Sequence, residues 1–153
     1  MAAPEGMNAH VGSTLTVRIP VVPDACLSPN ARSGTSRWNR SKAVAALREA
    51  TAVAVRQAIG SGGADPNFFL GCAAVARGWA AMAIDWHVAW PRDRRRKDDD
   101  AIPLMVKAAR DQIADEIAVN DRRMRTGRVT QSQDPDGLGW IEATLRIEEA
   151  ETA

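Results

Sequence analysis

The sequence predicts an α+β domain, a mixed β-sheet with two helices packed on it, and three stretches carry that prediction. "AAMAIDWHVAW", Ala80 to Trp90, alternates Met82, Ile84, Trp86, Val88 and Trp90 on one side, the period of a strand with one buried face. "KAVAALREATAVAVRQAIG" sets Val44, Leu47, Thr51, Val55 and Ile59 at helical spacing before a glycine stop. Ile102, Val106, Ala109, Ile113 and Ile117 draw a second helical stripe.

The remaining elements fall into place around these. "STLTVRIP", Ser13 to Pro20, alternates apolar and polar residues and reads as a first strand ended by proline. The polar, turn-rich "SPNARSGTSRWNRS" leads into the first helix, and "SGGADPNFF" after it reads as a loop. Pro103 suits the first turn of the second helix, with Asp100 placed to cap it. Lys107 and Asp111, four residues apart, are neighbours on the opposite edge of that helix. "RMRTGRVTQ" and "GWIEATLRIEE" are two closing strands separated by the turn "DPDG". The expected order is β-α-β-α-β-β, without an internal repeat.

A chain of 153 residues, 45% of them hydrophobic, can bury a core without staples, so residues 1–153 are expected to form one domain with flexible tails over 1–12 and 149–153. Cys26 and Cys72 are too few for a disulfide framework and lack zinc-site spacing, which suits core fillers and a reducing cytoplasm. The N-terminus resembles no signal peptide, and no apolar run approaches the roughly 20 residues needed to span a bilayer, so no membrane partner is expected.

The formal charge of +1 hides an uneven distribution. Residues 28–59 carry Arg32, Arg37, Arg40, Lys42, Arg48 and Arg56 against Glu49, a net +5. Residues 92–128 hold a net +3, and residues 129–153 a net −5. Most of the basic groups are arginine, whose planar fork suits bidentate contact with phosphate.

Within "RDRRRKDDDAIPLMVK", Arg92 to Lys107, a basic run abuts three aspartates. If Arg96 to Asp100 stay extended, Asp98 and Asp100 point the same way and Asp99 the other. Two converging carboxylates suit Mg²⁺, which is typically held by one or two carboxylates together with waters and substrate phosphates. Asp121, ahead of the next strand, offers a third carboxylate, and Lys107 a point charge for a phosphate. The competing reading is a solvated turn, where acids favour a helix N-terminus and arginines merely neutralise them.

These residues resemble the signature of the RusA family of Holliday junction resolvases. In that family a D-x-D-N-L segment is followed by a lysine, an aspartate four residues later, and a D-D pair before a strand. The matching positions are Asp98, Asp100, Ile102, Lys107, Asp111 and Asp121, with Ala101 in place of the asparagine and Asn120 in place of the first aspartate of the pair. "LSPNAR", with Arg37 and Trp38 beyond it, is similar to the family's opening motif. The resemblance spans Val17 to Ile147 and implies a dimeric, Mg²⁺-dependent endonuclease, with Mn²⁺ a substitute, that resolves four-way DNA junctions by paired nicks in recombination, repair or phage DNA processing. It implies Asp98, Asp100 and Asp121 as metal ligands and Lys107 as a catalytic cation. DNA contacts are expected from Asn30, Arg32, Arg37, Trp38, Arg40, Lys42, Arg94, Arg95, Arg96, Arg122 and Arg123. The alternatives are a junction-binding protein with impaired catalysis and a small metal-dependent phosphohydrolase.

His87 is expected on the polar side of its strand, and His10 in the N-terminal tail. Trp86 and Trp90 are expected in the core or a dimer interface, while Trp38, among Arg37 and Arg40, is the tryptophan placed near DNA. "GSGGADP" lacks the Lys-Ser/Thr of a P-loop.

Overall fold

The computed structural model describes residues 10–29 and 37–150. Their elements run β1 (Thr14–Ile19), α1 (Arg37–Gly60), α2 (Phe68–Ala76), β2 (Ala80–Pro91), α3 (Ile102–Met105), α4 (Lys107–Ile117), β3 (Met124–Asp134) and β4 (Trp140–Glu149). The strands form one mixed sheet in the order β1-β4-β2-β3. β4 runs antiparallel to both β1 and β2, and β3 runs parallel to β2. Although joined by a short turn, β3 and β4 therefore lie on opposite sides of β2.

Alternation along the strands sets the layers. Leu15, Val17 and Ile19 of β1, Met82, Ile84, Trp86, Val88 and Trp90 of β2, and Ile141, Ala143, Leu145 and Ile147 of β4 are all buried on one face. There they meet Leu47 and Val55 of α1, Phe68 and Val75 of α2, and Ala109, Ile113 and Ile117 of α4 in a single core. β2 is a central strand, with Trp86 and Trp90 fully buried. The Trp-rich strand is thus unavailable as a dimer interface, because its apolar face already packs within the chain.

The second sheet face is polar and, among the described residues, carries no helix. His87 lies on it, where its ring nitrogens bond the Thr130 and Ser132 hydroxyls at 2.6 and 2.8 Å. Arg18 stacks over Trp140 at 3.8 Å. Asp85 pairs with Arg146 at 2.7 Å and accepts the Arg128 N–H at 2.8 Å. That last bond belongs to a register shift between Ile84 and Trp86, and it requires a glycine at 127: a Cβ there would stand 2.1 Å from the Asp85 carboxylate.

Several boundaries differ from the sequence expectation, each for a local reason. α1 begins at Arg37, so Arg37 to Ser41, read as turn, form its first helical turns. α2 has no counterpart in the sequence reading: "FFLGCAAVA" is apolar nearly all round and shows no helical stripe. Gly71 lets α2 lie directly on the sheet, since a Cβ there would meet Ile147 at 2.7 Å. The second helix is broken at Val106 into α3 and α4, though Ile102, Val106, Ala109, Ile113 and Ile117 are all buried as the stripe requires. Ala101, not Asp100, occupies the cap of α3, without a side-chain bond. Gly12 N–H donates to the Ile147 carbonyl at 2.8 Å, and Glu149 is the last residue of β4. Among the described residues no helix is long and apolar enough to cross a membrane.

Candidate functional site

β2 ends at Pro91, and the Arg94 N–H turns back to the Pro91 carbonyl at 3.0 Å. Arg96 to Asp100 are consequently not one extended segment. Asp98 is extended, with φ −64° and ψ 140°, whereas Asp99–Ala101 wind into a 3₁₀ turn. The alternation expected of Asp98, Asp99 and Asp100 is replaced by this turn, which breaks the pleat after Asp98.

The turn is held by Gln131 of β3. Its amide donates to the Lys97 carbonyl and to Asp99 Oδ1, both at 2.7 Å, while its oxygen accepts from Lys97 N at 3.0 Å and Trp90 Nε1 at 2.8 Å. Asp99 also pairs with Arg96 at 3.4 Å. Asp99 is therefore the structural member of "DDD". Asp98 and Asp100 are exposed and make no side-chain hydrogen bond or ion pair among the described residues. Two uncommitted carboxylates, two residues apart on an exposed turn, suit a hydrated Mg²⁺.

Lys107 opens α4 and pairs with Asp111 at 3.1 Å, the contact its spacing predicts. With Arg48 of α1, Asp115, Asn120 and Asp121 they line a cavity of about 400 Å³ between α1 and the end of α4. A second cavity, about 250 Å³, adjoins it through Arg48, Lys107 and Asp111 and extends to Leu27 and Arg40. The two make one groove with charge of both signs.

Asp121 is placed by a different device. Ala118, at φ 57°, ends α4 in the left-handed conformation, and Asn120 then accepts the Arg122 N–H at 3.0 Å, capping the 3₁₀ turn Asp121–Arg123. Arg110 reaches across from α4 to the carbonyls of Asp121 and Met124 and to the Thr126 hydroxyl. Asn120, where the resembled motif has an acid, thus serves the backbone, and Arg110, which sequence reading passed over, holds the segment. The Asp121 carboxylate makes no side-chain hydrogen bond or ion pair among the described residues.

Asp121 does not join Asp98 and Asp100 within the chain. β2 and β3 are parallel neighbours, so the helical crossover between them runs back along the sheet and puts its two ends at opposite ends of the strands. From Ile102 to Ile117 the crossover spans roughly 24 Å at about 1.5 Å per residue. β3 repeats the separation, since Gln131 touches the Asp99 turn while Met124, about 23 Å away at a strand's rise, touches the Arg110 clamp. Allowing for side-chain reach, roughly 15–20 Å divides the two half-sites. Among the described residues no group of three His, Cys, Asp or Glu is gathered tightly enough to hold a metal ion.

The expected DNA-contacting residues divide similarly. Asn30 and Arg32 lie outside the described residues. Arg37, Trp38, Arg40 and Lys42 occupy the exposed first turns of α1, with Trp38 68% exposed and Lys42 5.2 Å from its ring. Arg94 turns inward, donating to the Pro23 carbonyl and lying 4.8 Å over the Trp90 ring. Burial holds its pKa below the usual arginine value, against the pull of Asp24 and Asp93. Arg95 and Arg96 stay exposed. Arg122 and Arg123, with Arg125, line a cavity of about 330 Å³ beside the start of β3. Cys72 is sealed beneath α2, and burial pushes its thiol up to about 12, an inert core position. No protein-family model matches the chain, and no curated protein matches it.

Proposed function

We propose that the protein is a divalent-metal-dependent endonuclease acting on branched DNA, four-way junctions above all, and that it works as a homodimer. The observation that carries this reading is the separation of roles within "DDD": Asp99 is bound by Gln131 and Arg96, while Asp98 and Asp100 are left without a structural task. Asp100 does not cap α3, whose N-cap is Ala101. The resemblance of the Asp98, Asp100 and Lys107 spacing to the RusA signature names the chemistry that such a pair serves. Bound there, Mg²⁺ would activate water and offset charge developing on a phosphate. Lys107 contributes a compact cation on the groove, set by Asp111. Arg37, Trp38, Arg40, Lys42, Arg95 and Arg96 supply phosphate and base-stacking contacts from exposed positions.

The test is nicking of a labelled four-way junction with and without Mg²⁺. Asp98→Asn and Asp100→Asn should each abolish cutting with junction binding kept, whereas Asp99→Asn should keep cutting and lower the melting temperature. Lys107→Ala should slow cutting at least tenfold, about 1.4 kcal/mol of barrier. Binding of the junction by the parent protein without any Mg²⁺-dependent nick would favour instead a DNA-binding protein lacking catalysis. Cutting of mononucleotides with no preference for branched DNA would favour a phosphohydrolase.

A further inference from the structure

The smaller cavity beside Lys107 combines an apolar wall with a cationic rim, which complements the apolar base and charged phosphates of a nucleotide. We propose that it is a nucleobase pocket, taking one unstacked base of the DNA strand next to the cut, with Leu104 as the side chain that holds the base out of its stack. This deepens the nuclease reading above and rests on it for the presence of DNA at Asp98 and Asp100.

The cavity, about 250 Å³, lies between the first half of α1 and the junction of α3 with α4. Leu27, Val44, Leu104 and Met105 form its apolar wall, and Arg40, Arg48 and Lys107 stand around it. Its acid, Asp111, is paired with Lys107 at 3.1 Å, and Arg40 donates to the Cys26 carbonyl at 3.3 Å. The volume is below the roughly 300–1,000 Å³ of pockets for drug-sized ligands, which suits a single flat ring system. Apolar walls gain by covering the faces of a base, while the cations attract the phosphates on either side of it.

Leu104 is the side chain placed to act. α3 buries Ile102 and Met105 in the core, yet leaves Leu104 59% exposed at the edge of the cavity. An exposed leucine by itself signals nothing; the position of this one decides. It follows Asp100 by four residues of 3₁₀ and α-helix, a rise of roughly 6–8 Å, or about two nucleotide steps at about 3.4 Å each. A phosphate on a metal at Asp98 and Asp100 would thus set a base within two steps of the nick against Leu104. Aliphatic side chains separate base steps in this way elsewhere in DNA recognition. Unstacking costs least where pairing is already weakened, as at the crossover of a four-way junction.

The test uses the full chain and four-way junctions carrying 2-aminopurine at successive positions around the crossover, in Ca²⁺ so that no strand is cut. On binding of the parent protein one position should brighten severalfold, because 2-aminopurine is dim when stacked on other bases and stays bright against aliphatic walls. Leu104→Ala should remove most of that rise and weaken junction binding roughly five- to tenfold, with the salt slope unchanged because no phosphate contact is lost. Removing the base at the same position should weaken binding by the parent to a similar extent and add little in the variant, as for two halves of one contact. Leu104→Met should restore the rise, and Leu70→Ala, which removes a similarly exposed leucine from α2, should leave it intact. A bound junction with no brightened position, or a rise that survives Leu104→Ala, would overturn the pocket even while Mg²⁺-dependent nicking stood. A brightened base that depends on Leu104, without nicking in Mg²⁺, would keep the pocket and sink the nuclease reading. No junction binding at all would overturn both.

Discussion

At the scale of single residues, the polar sheet face shows how closely one glycine and one carboxylate are matched. Gly127→Ala should drive the Asp85 carboxylate off the Arg128 N–H and away from Arg146, costing roughly 1–3 kcal/mol, read as a lower denaturant midpoint. Acid should act on the same residues. Burial raises the Asp85 pKa, but the bonds from Arg146 and Arg128 outweigh it and hold the carboxyl below its ordinary value. The Arg125 contact, with help from Arg146 and against partial burial, holds Glu148 down as well. Carboxylates depressed in the folded state stabilise it fully above their unfolded pKa, and that stability is lost as pH falls through the lower folded values. The melting temperature should therefore be flat near neutrality and drop below about pH 4. Asp85→Asn should be less stable at neutral pH and show a shallower acid decline; an unchanged acid profile would remove Asp85 from this account.

At the scale of elements, the end of α4 carries a removable strain. Ala118 holds φ 57°, a region where a Cβ costs roughly 1–2 kcal/mol, partly offset by the extra freedom that glycine gives the unfolded chain. Ala118→Gly should stabilise the protein by roughly 0.5–1 kcal/mol; a lower melting temperature would contradict it. The turn after β2 separates two kinds of arginine. Replacing Arg95 and Arg96 by Ala should lower the slope of log K against log salt for junction binding by about one to two units, toward the lower end because Arg96 pairs with Asp99. Arg94→Ala should leave the slope alone and reduce stability, since its guanidinium is committed to Pro23 and Trp90. A slope change from Arg94→Ala in Ca²⁺, where cutting is blocked, would reverse the assignment.

Across the whole molecule, the crossover topology decides which charged groups can act together. α1 carries a net +4, from Arg37, Arg40, Lys42, Arg48 and Arg56 against Glu49, and the charge of residues 92–128 is split between the two ends of α3 and α4. Among the described residues, helices cover one sheet face, ion pairs lace the other, and β3 is an edge strand. Under the homodimer proposed above, the parent protein should sediment as a two-chain species at micromolar concentration, and a single-chain species with full junction cutting would remove the dimer from that reading.

Much was legible in the residues alone. The alternation of Met82 to Trp90, the stripe of Ile102 to Ile117 and the Lys107–Asp111 neighbours follow from periods of two and of three to four, which depend only on local backbone geometry. α2 was not legible, because a segment apolar on all sides carries no period to read. Nor was the fate of the aspartates: that Asp99 is bound by a glutamine more than thirty positions away follows from strand pairing. By itself the sequence determined the mixed α+β class and the strand faces. Only the tertiary structure decided that Asp98 and Asp100 stand far from Asp121, because a parallel β-α-β connection sends the chain back along the sheet before the next strand can begin.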